Sequence, residues 1–195
     1  MIVKNKVMLI YPPGELYQRG EDRNQGNIER SSATSMRACN DLGYAAAVLL
    51  REGYTVFLKD YQTERCSTED LLADVREFKP DLLMLSVTNA TIFEDIAIVN
   101  RIVPTHQVII VLKGAIFFDS DPEMLDLLDL SQVDFLLGGE VEFSIGKIAG
   151  LALRSQGDAC DIPNIFLKTC MAPSKRQNLQ SGNRTWIRFL FRLAS

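Results

Sequence analysis

The sequence predicts an α/β fold built on an open, doubly wound parallel sheet, and three observations carry that prediction. Apolar runs of strand length alternate with longer segments whose apolar residues recur at helical spacing. One run, DLLMLSV, is apolar almost throughout, as expected of a central parallel strand covered on both faces. Five such βα units follow one another, and right-handed crossovers then set helices on both sides of the sheet.

The first strand is KVMLIY, and it must end near Tyr11 because Pro12 and Pro13 fix their own φ and supply no amide hydrogen. A polar stretch over residues 14–38 follows, with charges of both signs and little apolar periodicity, and reads as a long loop. DLGYAAAVLLREG gives a helix stopped by Gly53, and TVFLKDY a second strand. In STEDLLADVREFKP, Ser67 or Thr68 is the N-cap, acids fill the first turn, and the helix ends before Pro80.

DLLMLSV is the third strand, TIFEDIAIVNRIVP the third helix and QVIIVLKG the fourth strand. SDPEMLDLLDL reads as a helix with Pro122 near its first turn, VDFLLGG as the fifth strand, and EFSIGKIAGLALRS as the fifth helix. These units predict a Rossmann-like three-layer sandwich in the flavodoxin-like strand order 2-1-3-4-5 within residues 1–155. In residues 156–195, DIPNIFLK is expected to add one strand. The basic remainder reads as an irregular tail or linker.

Composition narrows the function. A formal charge of -4 over 195 residues argues against a nucleic-acid partner, which requires clustered Lys and Arg on one face. No window has the length of a membrane span, and the N-terminus runs straight into a strand; a cytoplasmic protein with no membrane contact is expected. Cys39, Cys66, Cys160 and Cys170 are too scattered for a zinc or iron–sulfur site, and His106 is the single histidine.

In that strand order the chain reverses direction between strands 1 and 3 and leaves a crevice at their carboxyl ends. YPPGE forms one lip, SVTNAT the other, and LKGAIFF and LLGGE lie farther along. A flavin-phosphate loop needs hydroxyls and free amides where the prolines stand. A phosphoryl-receiver site needs paired acids after strand 1 and an Asp where Ser86 stands. A Gly-x-Gly-x-x-Gly turn is missing as well. Present instead are Gly14, Ser86, Thr88, Thr91, Gly114, Gly138 and Gly139. These small or hydroxylated residues suit a large flat ligand approaching the backbone, although each also has an ordinary turn or capping role.

KVMLIYPPGE, DLGYAAAVLLREGYTVFLKDY, EFKPDLLMLSVTNAT, VIIVLKGAIFF and VDFLLGGEVEFS together resemble the N-terminal cobalamin-binding domain of cobalamin-dependent radical S-adenosylmethionine enzymes, over roughly residues 5–155. The resemblance implies a corrinoid across the carboxyl edge, with its nucleotide tail between strands 1 and 3. By that resemblance Tyr11, Pro12, Pro13, Gly14 and Glu15 border the corrin; Ser86, Val87 and Thr88 line the tail slot, with Thr91 beyond; and Gly138, Gly139 and Glu140 form the loop after strand 5.

Lys113 and Gly114 stand where the family has two glycines, so Lys113 is expected to crowd the ligand or to pair with a corrin amide or phosphate. No histidine follows strand 1, so bound cobalamin is expected base-off, with no protein ligand to cobalt. The Cys-x-x-x-Cys-x-x-Cys motif and its barrel are absent from this sequence, so no iron–sulfur cluster is expected in this chain. It reads as a carrier module, not catalytic alone, whose partner is a radical S-adenosylmethionine catalytic domain or another protein, and whose parent class is methyltransferase or another radical S-adenosylmethionine enzyme. RTWIRFLFRLAS reads as linker or a frameshifted end. Two other readings stay open: a degenerate interaction module with no cofactor, and a small-molecule enzyme using Glu140 or Glu142 as base.

Overall fold

The computed structural model describes residues 5–15, 38–104, 106–118, 125–169 and 185–189. The elements are β1 (Lys6–Tyr11), α1 (Asn40–Arg51), β2 (Thr55–Asp60), α2 (Thr68–Phe78), β3 (Leu82–Ser86), α3 (Ile92–Ile102), β4 (Ile109–Lys113), β5 (Phe135–Leu137), α4 (Ile145–Arg154), β6 (Ile165–Thr169) and β7 (Thr185–Phe189). Short 3-10 turns follow β4 and β5 at Ala115–Phe117 and Val141–Phe143. The expected loop over residues 14–38 and the helix expected in SDPEMLDLLDL lie largely outside the described residues.

Local signals act as their chemistry requires. Ser67 Oγ accepts from the Asp70 amide while the Asp70 carboxylate accepts from the Ser67 amide, a reciprocal capping box that starts α2. Lys79, in the left-handed region at φ 53, closes that helix ahead of Pro80. Gly53 at φ 83 turns the chain from α1 into β2.

Among the described residues the sheet has seven strands in the order β2-β1-β3-β4-β5-β6-β7. The first five are parallel and follow the expected sequence, while β6 and β7 continue the sheet antiparallel. The α/β class and mostly parallel sheet agree with expectation; the count of five strands does not, since β6 and β7 extend the order beyond β5. Thr185–Phe189 was expected in an irregular tail but pairs with β6 along its length. Its Thr-Trp-Ile-Arg-Phe has the β-branched and aromatic content of a strand, but a strand needs a partner's hydrogen bonds, and that partner is supplied only by the tertiary structure.

Side-chain alternation divides the core into two layers. Met8, Ile10, Leu83, Leu85, Ile110 and Leu112 pack toward α2 and α3. Val7, Leu9, Leu82, Met84, Val111 and Leu137 pack toward α1 and α4. By that period of two, Tyr11, Ser86 and Lys113 fall on the α1 face at the carboxyl ends of β1, β3 and β4.

Candidate functional site

Parallel pairing brings the carboxyl ends of β1, β3, β4 and β5 to one rim, with Ser86 opposite Lys113 and Lys113 opposite Leu137. Tyr11, Pro12 and Pro13 are buried where β1 reaches that rim, whereas Gly14 and Glu15 are exposed. Among the described residues nothing lies within 4 Å of a Cβ placed at Gly14, and they leave the backbone there open to close approach.

On the α1 face a polar cluster ties three strands to the first turn of α1. Asp41 Oδ2 accepts from Lys113 Nζ at 2.9 Å and from Ser86 Oγ at 3.1 Å, and the Tyr11 hydroxyl lies 3.2 Å from both carboxylate oxygens. Burial pushes the Asp41 carboxyl up. The Lys113 charge and hydrogen bond, the Leu42 amide and the Ser86 hydroxyl outweigh that and hold it below the usual carboxylate range. Lys113, expected to crowd a ligand or to pair with its amides or phosphate, has its ammonium on a carboxylate of the same chain. A lone cation at the end of an apolar strand needs an anion when it is only 21% exposed, but which of many acids supplies it is a long-range matter, 72 residues away here.

On the α3 face a second polar chain leads inward. The Thr88 and Thr91 hydroxyls are 3.0 Å apart, and Thr91 Oγ donates to Asp95 Oδ2 at 2.7 Å. Asp95 is 2% exposed and Thr91 7%, while Thr88 is half-buried. Burial drives the Asp95 carboxyl up to about 7, reinforced by Glu94 and opposed by bonds from Thr91 and the Thr88 amide. Asp95 escaped the sequence reading, although the Thr91-x-x-x-Asp95 spacing placed both on one helix face.

The strand-end glycines serve close packing within the chain. A Cβ at Gly114 would lie 2.7 Å from the Val87 carbonyl oxygen, one at Gly139 would lie 2.8 Å from Asn164 Nδ2, and one at Gly138 would run into the backbone of Phe117. The Val87, Gly114 and Gly138 amides bond to Lys113, Leu137 and Asn164 carbonyls at 2.8, 3.0 and 3.0 Å, lengthening the ladders past the strands. Glu140 is exposed and Glu142 half-buried in the turn beyond. His106 stands at the opposite edge, its Nε2 donating to the Pro80 carbonyl at 2.8 Å. Among the described residues no group of three His, Cys, Asp or Glu side chains is placed to hold a metal ion. No described helix is long and apolar enough to cross a membrane.

No family model and no curated protein matches the chain. Solved structures do. The radical S-adenosylmethionine methyltransferase TsrM from Kitasatospora setae, with tryptophan substrate and a SAM analogue bound, aligns at TM-score 0.61 and 16% identity, covering 86% of this chain and 29% of that one. The same enzyme with cobalamin and a [4Fe-4S] cluster aligns at 0.56 and 17% identity over the same shares. The apo cobalamin-dependent S-adenosylmethionine radical enzyme OxsB aligns at 0.66 and 13% identity, covering 97% of this chain and 22% of that one. At these identities the likeness is one of fold, and the chain spans less than a third of each neighbour's length.

Proposed function

We propose that this chain is a cobalamin-binding module, flavodoxin-like in layout, that carries a corrinoid at the carboxyl rim of its sheet. The observation that carries the reading is the fold it has in common with solved cobalamin-dependent radical enzymes over 86–97% of its length. The rim's chemistry fits such a guest. Lys113 is neutralised by Asp41 on the α1 face, and the Thr88 and Thr91 hydroxyls are donors and acceptors suited to a large ligand fringed with amides.

In this reading Gly14 lets the ligand approach backbone after β1, the Thr88 hydroxyl bonds a peripheral polar group, and residues 138–140 border the far side. Tyr11, Pro12, Pro13, Glu15, Ser86, Val87, Thr91, Lys113 and Gly114 complete the proposed border, Ser86 and Lys113 acting through Asp41. With His106 at the other edge, the corrinoid is base-off and cobalt takes no histidine. Bound cobalamin supplies a cobalt centre able to accept and pass on a methyl group. The partner is a catalytic domain of the kind that completes the much longer neighbouring chains, and the parent class is methyltransferase.

Titration of the protein with hydroxocobalamin, followed by absorbance and by retention on gel filtration, tests this. Saturable binding in the micromolar range is expected, weakened by Thr88→Val. No retained corrinoid at tens of micromolar would remove the proposal. A second reading, an interaction module without cofactor, draws on the Asp41 cluster, which satisfies Tyr11, Ser86 and Lys113 internally. It expects that null titration.

A further inference from the structure

The Thr88–Thr91–Asp95 chain has a direction, and the direction depends on a proton. Each threonine hydroxyl has one hydrogen to donate and lone pairs to accept with. With Asp95 ionised, its carboxylate can only accept, so Thr91 donates to it at 2.7 Å and has no hydrogen left for Thr88. Thr88 must then donate to Thr91 across their 3.0 Å contact. Thr88 is the half-buried residue of the three, and its oxygen then has only lone pairs for a further partner. A protonated Asp95 can donate to Thr91, Thr91 then donates to Thr88, and the Thr88 hydrogen is released toward the rim.

We propose that this relay sets the ligand specificity of the rim at Thr88: it takes an N–H donor of the ligand when Asp95 is ionised, and a carbonyl or carboxylate oxygen when Asp95 is protonated. The proposal rests on the reading of the rim as a corrinoid site. Its geometric ground is the hydrogen-bond chain that runs from buried Asp95 through buried Thr91 to half-buried Thr88. The proton moves within reach of neutral pH, because burial raises the Asp95 carboxyl to about 7.

Few other charges bear on that proton. Glu94 on α3 pushes in the same direction. From α2, Glu69 pairs with Arg101 nearer the far end of α3, and Asp74 is held by Lys59 of β2. Lys113 of β4 is bound to Asp41 across the sheet. Among the described residues the other side chains clustered with α3 in this layer, Leu71, Val75, Val87 and Leu112 among them, are apolar.

The test compares cobinamide, whose periphery is carboxamide, with cobyrinic acid, whose periphery is carboxylate, at pH 6 and pH 8. The ratio of their affinities is the readout, since a change in overall packing moves both together. In the wild type the preference for cobinamide is expected to rise about tenfold from pH 6 to pH 8, the worth of one mismatched hydrogen bond. In Asp95→Asn, whose amide can donate to Thr91 at every pH, the rise disappears. Thr91→Val keeps the Asp95 charge but cuts the relay, and also loses the rise; retention of the full rise there would assign the effect to charge alone and overturn the proposal.

Carbon-13 NMR of aspartate-labelled protein gives a reading that needs no ligand. A carboxyl titrating near pH 7, absent in Asp95→Asn and moved in Thr91→Val, supports the relay, and its absence from the wild type overturns it. If neither corrinoid binds, the module reading falls and the NMR result alone decides whether the relay exists. Equal selectivity at both pH values, with both corrinoids bound, sinks the relay and leaves the module intact.

Discussion

Replacing Lys113 with methionine removes the cation that holds Asp41 and leaves most of the aliphatic volume in place. Asp41 then keeps the Ser86 and Tyr11 hydroxyls at 3.1 and 3.2 Å, but a carboxylate buried against the sheet has lost its opposite charge. Losing a charge-assisted hydrogen bond of this kind costs about 2 kcal/mol. The figure stays below the 3–5 kcal/mol of a fully buried pair because water still reaches both side chains, 21% and 22% exposed. Asp41→Asn, which strands Lys113 instead, should cost a similar amount. The double variant should recover about 1–2 kcal/mol of the summed loss, because neither partner is then left alone.

Urea unfolding of the four proteins at pH 7 measures these terms. The sign with pH also follows: Asp41 titrates below its ordinary range in the fold, so its stabilisation holds above that range and is lost as acid carries the pH through the lowered value. In Lys113→Met that loss should shrink, because without the cation the folded value rises toward the unfolded one. A Lys113→Met protein within about 0.5 kcal/mol of wild type, or strict additivity in the double variant, would refute the assignment of Asp41 and Lys113 as one coupled unit.

Asp95 has the opposite sign: its carboxyl is raised from 3.8 to about 7 in the fold, so stability should fall as pH rises through that window, by roughly 1.4 kcal/mol per unit. Asp95→Asn should flatten the dependence, and parallel pH profiles in urea unfolding would contradict it. Gly138→Ala drives a methyl into the Phe117 backbone and should cost about 3 kcal/mol, read as a fall in Tm; Gly14→Ala, with open space around it, should cost far less. Tyr61→Phe deletes the hydroxyl that donates to Asp74 at 2.6 Å and should cost about 1 kcal/mol in urea unfolding, with Lys59 still bound to Asp74 at 2.9 Å.

The parallel half of the fold was legible because its signals are local or periodic. Leu82–Ser86 is apolar because both its faces are covered, Pro12 and Pro13 stop β1 by lacking amide hydrogens, and Ser67 with Asp70 closes a capping box within four residues of chain. The rim could be read too, since parallel strands must end on the same side. Of the antiparallel extension, β6 was expected within DIPNIFLK, but β7 was not: it carries only five residues of strand, and its pairing with β6 is not written in any local pattern.

What the sequence by itself determined is the α/β class, the order of the parallel strands and the edge where a site would form, because alternation, capping and proline chemistry act over a few residues. What only the tertiary structure decided is the chemistry of that edge. Which acid stands beside Lys113 was not in the sequence, and the fold sets Asp41 there. What packs beside Gly114 and Gly138 was not there either, and the fold brings the backbone of Val87 and Phe117 against them. Charge and void are properties of neighbours in space, and residues 72 positions apart become neighbours only when the sheet is assembled.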